Sequence, residues 1–422
     1  MNKSEYPRIG ETLYTERLKS GASLLYVPKP GFKKSFAAVA VDYGSIDMRF
    51  KLGDTWQDTP AGVAHFLEHK MFDMSDGTNA LQAYSVTGAD PNAFTSNTIT
   101  NYHFEGTTGF EQNFRILLDS VTSAYFTDES VEKEKGIIGQ EIGMVNDTPN
   151  RRIFYELYGA MYNRHPIRHS IAGTVESIGQ ITPQTLYDCH KAFYSPKNMT
   201  ICIVGDIDID RAIDIADEML PTDGWDISDR DYGDEPETVA VKYNEIRQSV
   251  ALPLFAIGFK DKSVGKGRGY LYRELLAELA LQCMMGPSSS LYLNMYKNGL
   301  VNNAFGFGFS SFSGGGCAEV MGESRDPKRV LDEIYTESRR VASSGFDAKH
   351  FDRVKKSIYG VFLRQFDSFF YLSYRLQTAM QNGACHMDFA DIFDTLTSDE
   401  AAQFIKNLIK EEKTSLVVTN PI

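Results

Sequence analysis

Two histidines stand four residues apart in "HFLEH", His65 and His69, with Glu68 between them. On a helix a four-residue step returns to the same face one turn on, and Glu68, three residues after His65, lies on that side as well. Two imidazoles and a carboxylate converging on one point suit metal-assisted hydrolysis. Neutral imidazoles hold a zinc ion, and a carboxylate beside the metal but not bound to it handles the proton of a water. The order H-x-x-E-H inverts the commoner H-E-x-x-H, and either order provides the same groups. The bland alternative is a structural helix that carries histidines by chance.

A catalytic zinc site usually takes a third protein ligand and leaves its fourth position to water. In "VEKEKGIIGQEIGMV", Glu141 follows Glu134 by seven residues, two helical turns, so both carboxylates share a face with Ile137 and Ile138. Carboxylates on a partly apolar face are costly to bury unless something positive lies opposite, and a metal held by two histidines supplies it. Glu141 is therefore expected as the third ligand. Glu134 is expected to accept the free ring N–H of a metal-bound histidine and so fix its tautomer. Taken alone, both glutamates read as solvated helix charges.

Other candidates are weaker. His165 and His169 also stand four residues apart, but Pro166 follows the first, no glutamate separates them, and the segment reads as a loop. His103 reads as a strand residue, and His190, His350 and His386 have no partner signal. Gly314 to Gly316 precede no Lys-Ser/Thr pair, so a turn is expected there rather than a phosphate loop.

Several elements must position these groups. Thr59 is placed to cap a helix with Pro60 at its first position, and apolar residues then recur at Val63, Phe66, Leu67 and Met71. Strands are expected at "SFAAVAVDYG", "MTICIVGD", "SVALPLFAIGF" and "TSLVVTN". Helices are expected at "FEQNFRILLDSVTSAY", "ESVEKEKGIIGQEIGMVND" and "DPKRVLDEIYTESRRVASSG". The aromatic-rich segment 363–377 reads as one buried helix face. The acidic stretch Leu220 to Val241, with two prolines, two glycines and no periodicity, reads as a linker. On either side of it the order of signals repeats, so the chain is expected to be a duplication: residues 1–219 with the zinc motif, the linker 220–241, and residues 242–422 without it. Each half is predicted to be α+β, a mostly antiparallel sheet with helices on one face.

At 422 residues the chain exceeds one compact core, which agrees with two domains. A balance of 43 Lys plus Arg against 56 Asp plus Glu disfavours nucleic acid and anionic membranes as partners. No apolar run approaches the roughly 20 residues that cross a bilayer. The five cysteines show no C-x-x-C pair and an odd number, which reads as reduced thiols, and with an N-terminus lacking targeting features a cytoplasmic location is expected.

"HFLEH" followed 72 residues after His69 by Glu141, with Glu134 seven residues before it, resembles the pitrilysin/insulinase family of metallopeptidases, which includes the mitochondrial processing peptidase. "PNAFTSNTITNYHF", "HPIRHSIAGTVESIGQIT" and "FYSPKNMTICIVGD" are similar to later landmarks of that family, so the resemblance covers nearly the whole chain. It implies two homologous halves enclosing a chamber, with one zinc ion on His65, His69 and Glu141. It makes Glu68 the general base, Glu134 a supporting group, and Asn92, Ala93 and Phe94 an edge strand that pairs with an extended peptide substrate. It implies a zinc endopeptidase for short or unfolded peptides. The sequence departs from many single-type members where an arginine and a tyrosine approach the substrate carbonyl, for Ser290 and Asn302 occupy those places. Some bacterial relatives divide the labour between two chains, which points to a dimer, homodimer or heterodimer, in which a homologous chain supplies Arg and Tyr. A zinc-bearing subunit or peptide-maturation factor with little activity alone, and a non-catalytic assembly homologue, are the alternatives.

Overall fold

The computed structural model describes residues 1–74, 77–226, 228–262 and 265–422. A first unit comprises residues 1–142, 170–231 and 365–387. Its strands are β1 (Asn2–Tyr6), β2 (Glu11–Arg17), β3 (Ser23–Pro28) and β4 (Ser35–Val41), the separate hairpin β5 (Arg49–Leu52) and β6 (Thr55–Asp58), then β7 (Asp90–Thr95), β8 (Thr100–Gly106) and β9 (Met199–Gly205). Seven of these form one sheet in the order β1-β2-β3-β9-β4-β8-β7, in which only β3 and β9 run parallel.

β4 and β9 are buried throughout, as their unbroken apolar runs require of strands covered on both faces. On one face Val39, Ile201 and Ile203 join a core with Phe66 and Leu67 of the histidine helix (Val63–Lys70) and Phe114 of the helix Phe110–Thr122. The other face is covered by the helix Phe369–Gln381, which packs on β9 and β4. Its buried Gln377 donates to the carbonyls of Ala38 (3.2 Å) and Thr200 (2.8 Å) and accepts from Asn101 Nδ2 (2.8 Å). Helices therefore lie on both faces, not on one as expected.

The second unit comprises residues 143–169, 232–364 and 388–422. Its strands β10 (Tyr243–Gln248), β11 (Leu254–Asp261), β12 (Gly306–Phe312), β13 (Gly315–Glu323) and β14 (Thr414–Pro421) take the order β10-β14-β11-β13-β12. That order, including the single parallel pair β10–β14, repeats β3-β9-β4-β8-β7 of the first unit. Here the covering helix is Pro149–Met161, which packs on β11 and β14. Gly258 on β11 makes room for it, since a Cβ there would stand 2.2 Å from the Met161 sulfur.

In each unit one helix on the sheet thus comes from the other half of the sequence. For that reason the compact units do not coincide with contiguous runs of sequence. Segment 220–241 contains no helix or strand among its described residues, Ile227 lying outside them. Residues 363–377 are not one helix: Ala348–Gln365 ends before Ser368, whose side chain caps Phe369–Gln381 by accepting from the Tyr371 N–H.

Candidate metal centre

The histidine helix begins at Val63, not at Pro60. Its N-cap is Gly62 at φ 98°, a left-handed conformation that favours glycine, and a Cβ there would lie 2.6 Å from the Ala172 carbonyl oxygen. Thr59 is not the cap; its hydroxyl donates to the Met48 carbonyl. Phe66 and Leu67 are fully buried and press the helix onto β7, β8 and the helix Pro183–Phe193, which fixes the direction in which His65, Glu68 and His69 project.

Glu134 and Glu141 stand on the helix Asp128–Asp147. Val131, Ile138 and Ile142 anchor it in the first unit's core, so the two carboxylates, two turns apart, face the histidines. His65 Nε2 is 3.6 Å from Glu141 Oε1, and His69 Nε2 is 3.7 Å from Glu141 Oε2. These separations are too long for hydrogen bonds. Two ligands each about 2.1 Å from one tetrahedral ion lie about 3.4 Å apart, close to the observed values. His65, His69 and Glu141 offer ligand atoms within 4.8 Å of one another, the one such group among the described residues. Two imidazoles and a carboxylate are a zinc-type donor set.

The surroundings suit those roles. His69 Nδ1 and Glu134 Oε1 are 2.9 Å apart, which leaves Nε2 free to face Glu141. Burial first, and His69 next, push the His65 imidazole down to about 4, so it is neutral at physiological pH, the form that binds metal. Burial also lowers His69, but the hydrogen bond to Glu134 and the charges of Glu68, Glu134 and Glu141 outweigh it and the net direction is upward. Burial would raise Glu134, and its bond to His69 holds it down instead.

Glu68 is buried and not among the three convergent groups. Its Oε2 accepts from the Thr95 hydroxyl at 2.6 Å, while burial raises its carboxyl above the usual range. Thr95 ends β7, and no spacing in "NAFTS" singles it out from sequence. A cavity of about 320 Å3 opens beside Glu68 and His69, with Phe72, Leu81, Pro91 and Ala93 as its apolar wall.

β7 is the sheet edge. Ala93, opposite Tyr102, packs towards the core. Phe94, opposite Asn101, turns the other way, into an aromatic cluster with His103, Phe370 and Tyr374. The three residues grouped from sequence therefore serve two sides of the strand, and Phe94 lies away from the cavity wall.

His165 and His103 have structural partners. His165 Nδ1 accepts from the Ile167 N–H and its Nε2 donates to the Ser313 carbonyl. His103 lies on β8 beside Asn101 Oδ1. Gly314 turns the chain between β12 and β13 at φ 87°. Among the described residues no helix is long and apolar enough to cross a membrane.

Residues 25–175 match the family model described as insulinase (peptidase family M16), and residues 180–358 match that described as the peptidase M16 inactive domain. The chain is 37% identical over 415 residues to the zinc protease YmfH of Bacillus subtilis, covering 97% of this chain and 95% of that protein. It is similar to the crystal structure of an M16-like peptidase from Alicyclobacillus acidocaldarius, with a TM-score of 0.93 and 32% identity over 98% of this chain and 99% of the other. Pitrilysin shares the fold at a TM-score of 0.75 and 17% identity, over 97% of this chain and 45% of that one. The chain belongs to the insulinase, or M16, peptidase family.

Proposed function

We propose that the chain is a zinc-dependent endopeptidase acting on short or unfolded peptides. The observation that carries this is the convergence of His65, His69 and Glu141 with Glu68 beside them and Glu134 behind His69. Zinc held by the three would polarise the scissile carbonyl and lower the pKa of a water towards about 7. Glu68, held by Thr95 and set in an apolar wall, takes the proton of the attacking water and delivers it to the leaving amine. Glu134 keeps the proton of His69 on Nδ1 and the ring aimed at the site. The free edge of β7 receives the peptide backbone by strand addition, with Asn92 and Ala93 beside the cavity; Phe94 stiffens that edge from its opposite face.

We further propose that a homologous chain completes the site. Ser290 opens the helix Ser290–Lys297 and donates to Glu337 (3.4 Å), and Asn302 donates to Glu323 (2.7 Å) and accepts from the Ala304 N–H (2.9 Å). Both side chains are engaged with acidic or backbone partners and offer no cation or phenol to a developing oxyanion. This supports a subunit with little activity alone. A purely structural, non-catalytic role would not require the full donor set. The repeated strand order supports 1–219 and 242–422 as duplicated halves joined by 220–241, whereas the two family models divide the chain earlier, between residues 175 and 180. None of the five cysteines is in a disulfide, which suits a reducing, cytoplasmic compartment.

The test is hydrolysis of a random peptide pool by the purified chain alone and then with the product of a homologous gene. Chelator-sensitive cleavage supports the peptidase. Full activity of the chain alone rules out the second-chain requirement, and no cleavage in either arm rules out the peptidase.

A further inference from the structure

The histidine helix and the helix Asp128–Asp147 meet at one point besides the metal centre. Lys70, the residue after His69, ends the first helix, and Ser130 stands in the first turn of the second, four residues before Glu134. Lys70 Nζ lies 3.5 Å from the Ser130 carbonyl oxygen and donates to the Asp73 carboxylate. Of the lysines and arginines described, only Lys70 and Lys260 are buried, Lys70 to 1% exposure. Burying an ammonium is costly, and an apolar side chain of similar volume often serves stability as well or better. Lys260 is explained by its own surroundings, for it donates to Glu235 and to the carbonyls of Pro236 and Thr238. Lys70 is not explained in that way. The Asp73 side chain is 36% exposed, so water screens the ion pair and it adds little to stability. What Lys70 has and a methionine lacks is a donor aimed at the helix that bears Glu134 and Glu141.

We propose that Lys70 is a positioning residue of the metal centre. Its ammonium holds the first turn of the glutamate helix against the end of the histidine helix, and so sets Glu134, one turn further on, opposite His69 Nδ1. This rests on the reading that His65, His69 and Glu141 hold zinc. The contacts form a ladder along the two helices: Lys70 to Ser130, His69 to Glu134 at 2.9 Å, then His65 and His69 to Glu141 at 3.6 and 3.7 Å. Asp73 offsets the ammonium, so the pair adds little charge at the metal, and loss of Lys70 is felt through alignment rather than through the field. Two mechanisms therefore carry opposite signs. A lysine that merely repelled the ion would, when removed, tighten zinc binding; one that aligns Glu134 with His69 would loosen it.

The test is a double-mutant cycle on the full chain, with zinc affinity read by competition against a chromogenic chelator and folding checked by thermal unfolding of the zinc-free proteins. Lys70→Met should fold and bind zinc about tenfold more weakly, as for other groups that orient a ligand from outside the metal's own shell. In a Glu134→Ala background the same substitution should change the affinity by no more than about twofold, because the contact that Lys70 aligns is already gone. General damage to the fold would instead add its full cost in both backgrounds. Lys70→Gln, shorter and uncharged, carries the same comparison if the methionine variant does not fold. Unchanged or tighter zinc binding on loss of Lys70, or a tenfold cost that persists without Glu134, overturns the proposal. Zinc is read without peptide, so a chain that shows the expected cycle and cleaves nothing upholds the role of Lys70 and overturns the peptidase; a wild-type chain that binds no zinc overturns both.

Discussion

On the proposed zinc reading, replacing Glu134 separates the positioning of His69 from ligation itself. His69 Nδ1 and Glu134 Oε1 lie 2.9 Å apart, and the Glu134 side chain is only 14% exposed, so water screens the contact incompletely. A hydrogen bond to a charged group in such a place contributes about 1.5–3 kcal/mol. At about 1.4 kcal/mol per tenfold, losing it weakens zinc binding about 10- to 100-fold. Glu134→Gln keeps an oxygen that can accept from Nδ1–H but loses the charge, so it belongs at the tenfold end, and Glu134→Ala belongs at the hundredfold end. Competition for zinc against a chromogenic chelator at fixed neutral pH measures both, with thermal unfolding confirming that each variant folds. Wild-type zinc affinity in Glu134→Ala would show that the contact does not prepare His69 for metal.

Three further expectations follow from individual contacts. Thr95→Val removes the 2.6 Å hydrogen bond to Glu68 without changing side-chain size, and should lower kcat about tenfold while zinc content and KM stay unchanged. Thr95→Ser should restore most of it, and steady-state kinetics with metal analysis checks both. Burial opposes ionisation of Glu235, but the N–H of Asn163, the Lys260 ammonium and the N–H groups of Arg164 and His165 hold its carboxyl down to about 2 from 4.5. A depressed carboxyl stabilises the fold above pH 4.5 and loses that contribution as pH falls towards about 2, on the order of 3 kcal/mol; urea unfolding across that range should show the loss in wild type and a flatter profile in Glu235→Gln. Chelation of zinc should lower the unfolding temperature in proportion to binding, and His65→Ala should abolish that difference in calorimetry.

The site was more legible than the helices around it. Helical spacing alone placed His65, Glu68 and His69 on one side, and seven-residue spacing paired Glu134 with Glu141, because both are properties of one helix. Thr95 was not legible, since its bond to Glu68 joins a strand to a helix 27 residues away. The buried strands announced themselves as unbroken apolar runs, yet the same runs could not say that Phe369–Gln381 and Pro149–Met161 cover their second faces, because those helices come from the opposite half of the sequence. The start of the histidine helix was misplaced for a local reason. Thr59-Pro60 has the composition of a cap, but the close approach of Ala172 to Gly62 sets where the helix begins. Asn92, Ala93 and Phe94 were read together as an edge strand, which left open that the alternation of β7 sends Ala93 and Phe94 to opposite faces.

The most direct test of the account is Glu68→Gln, assayed alone and with a homologous partner chain. The variant should hold one zinc per chain by elemental analysis, as the wild type should, and should hydrolyse a peptide pool at least a hundredfold more slowly. Hydrolysis at the wild-type rate, or zinc lost together with the carboxylate, would contradict the assignment of Glu68 as a base that works beside the metal without binding it.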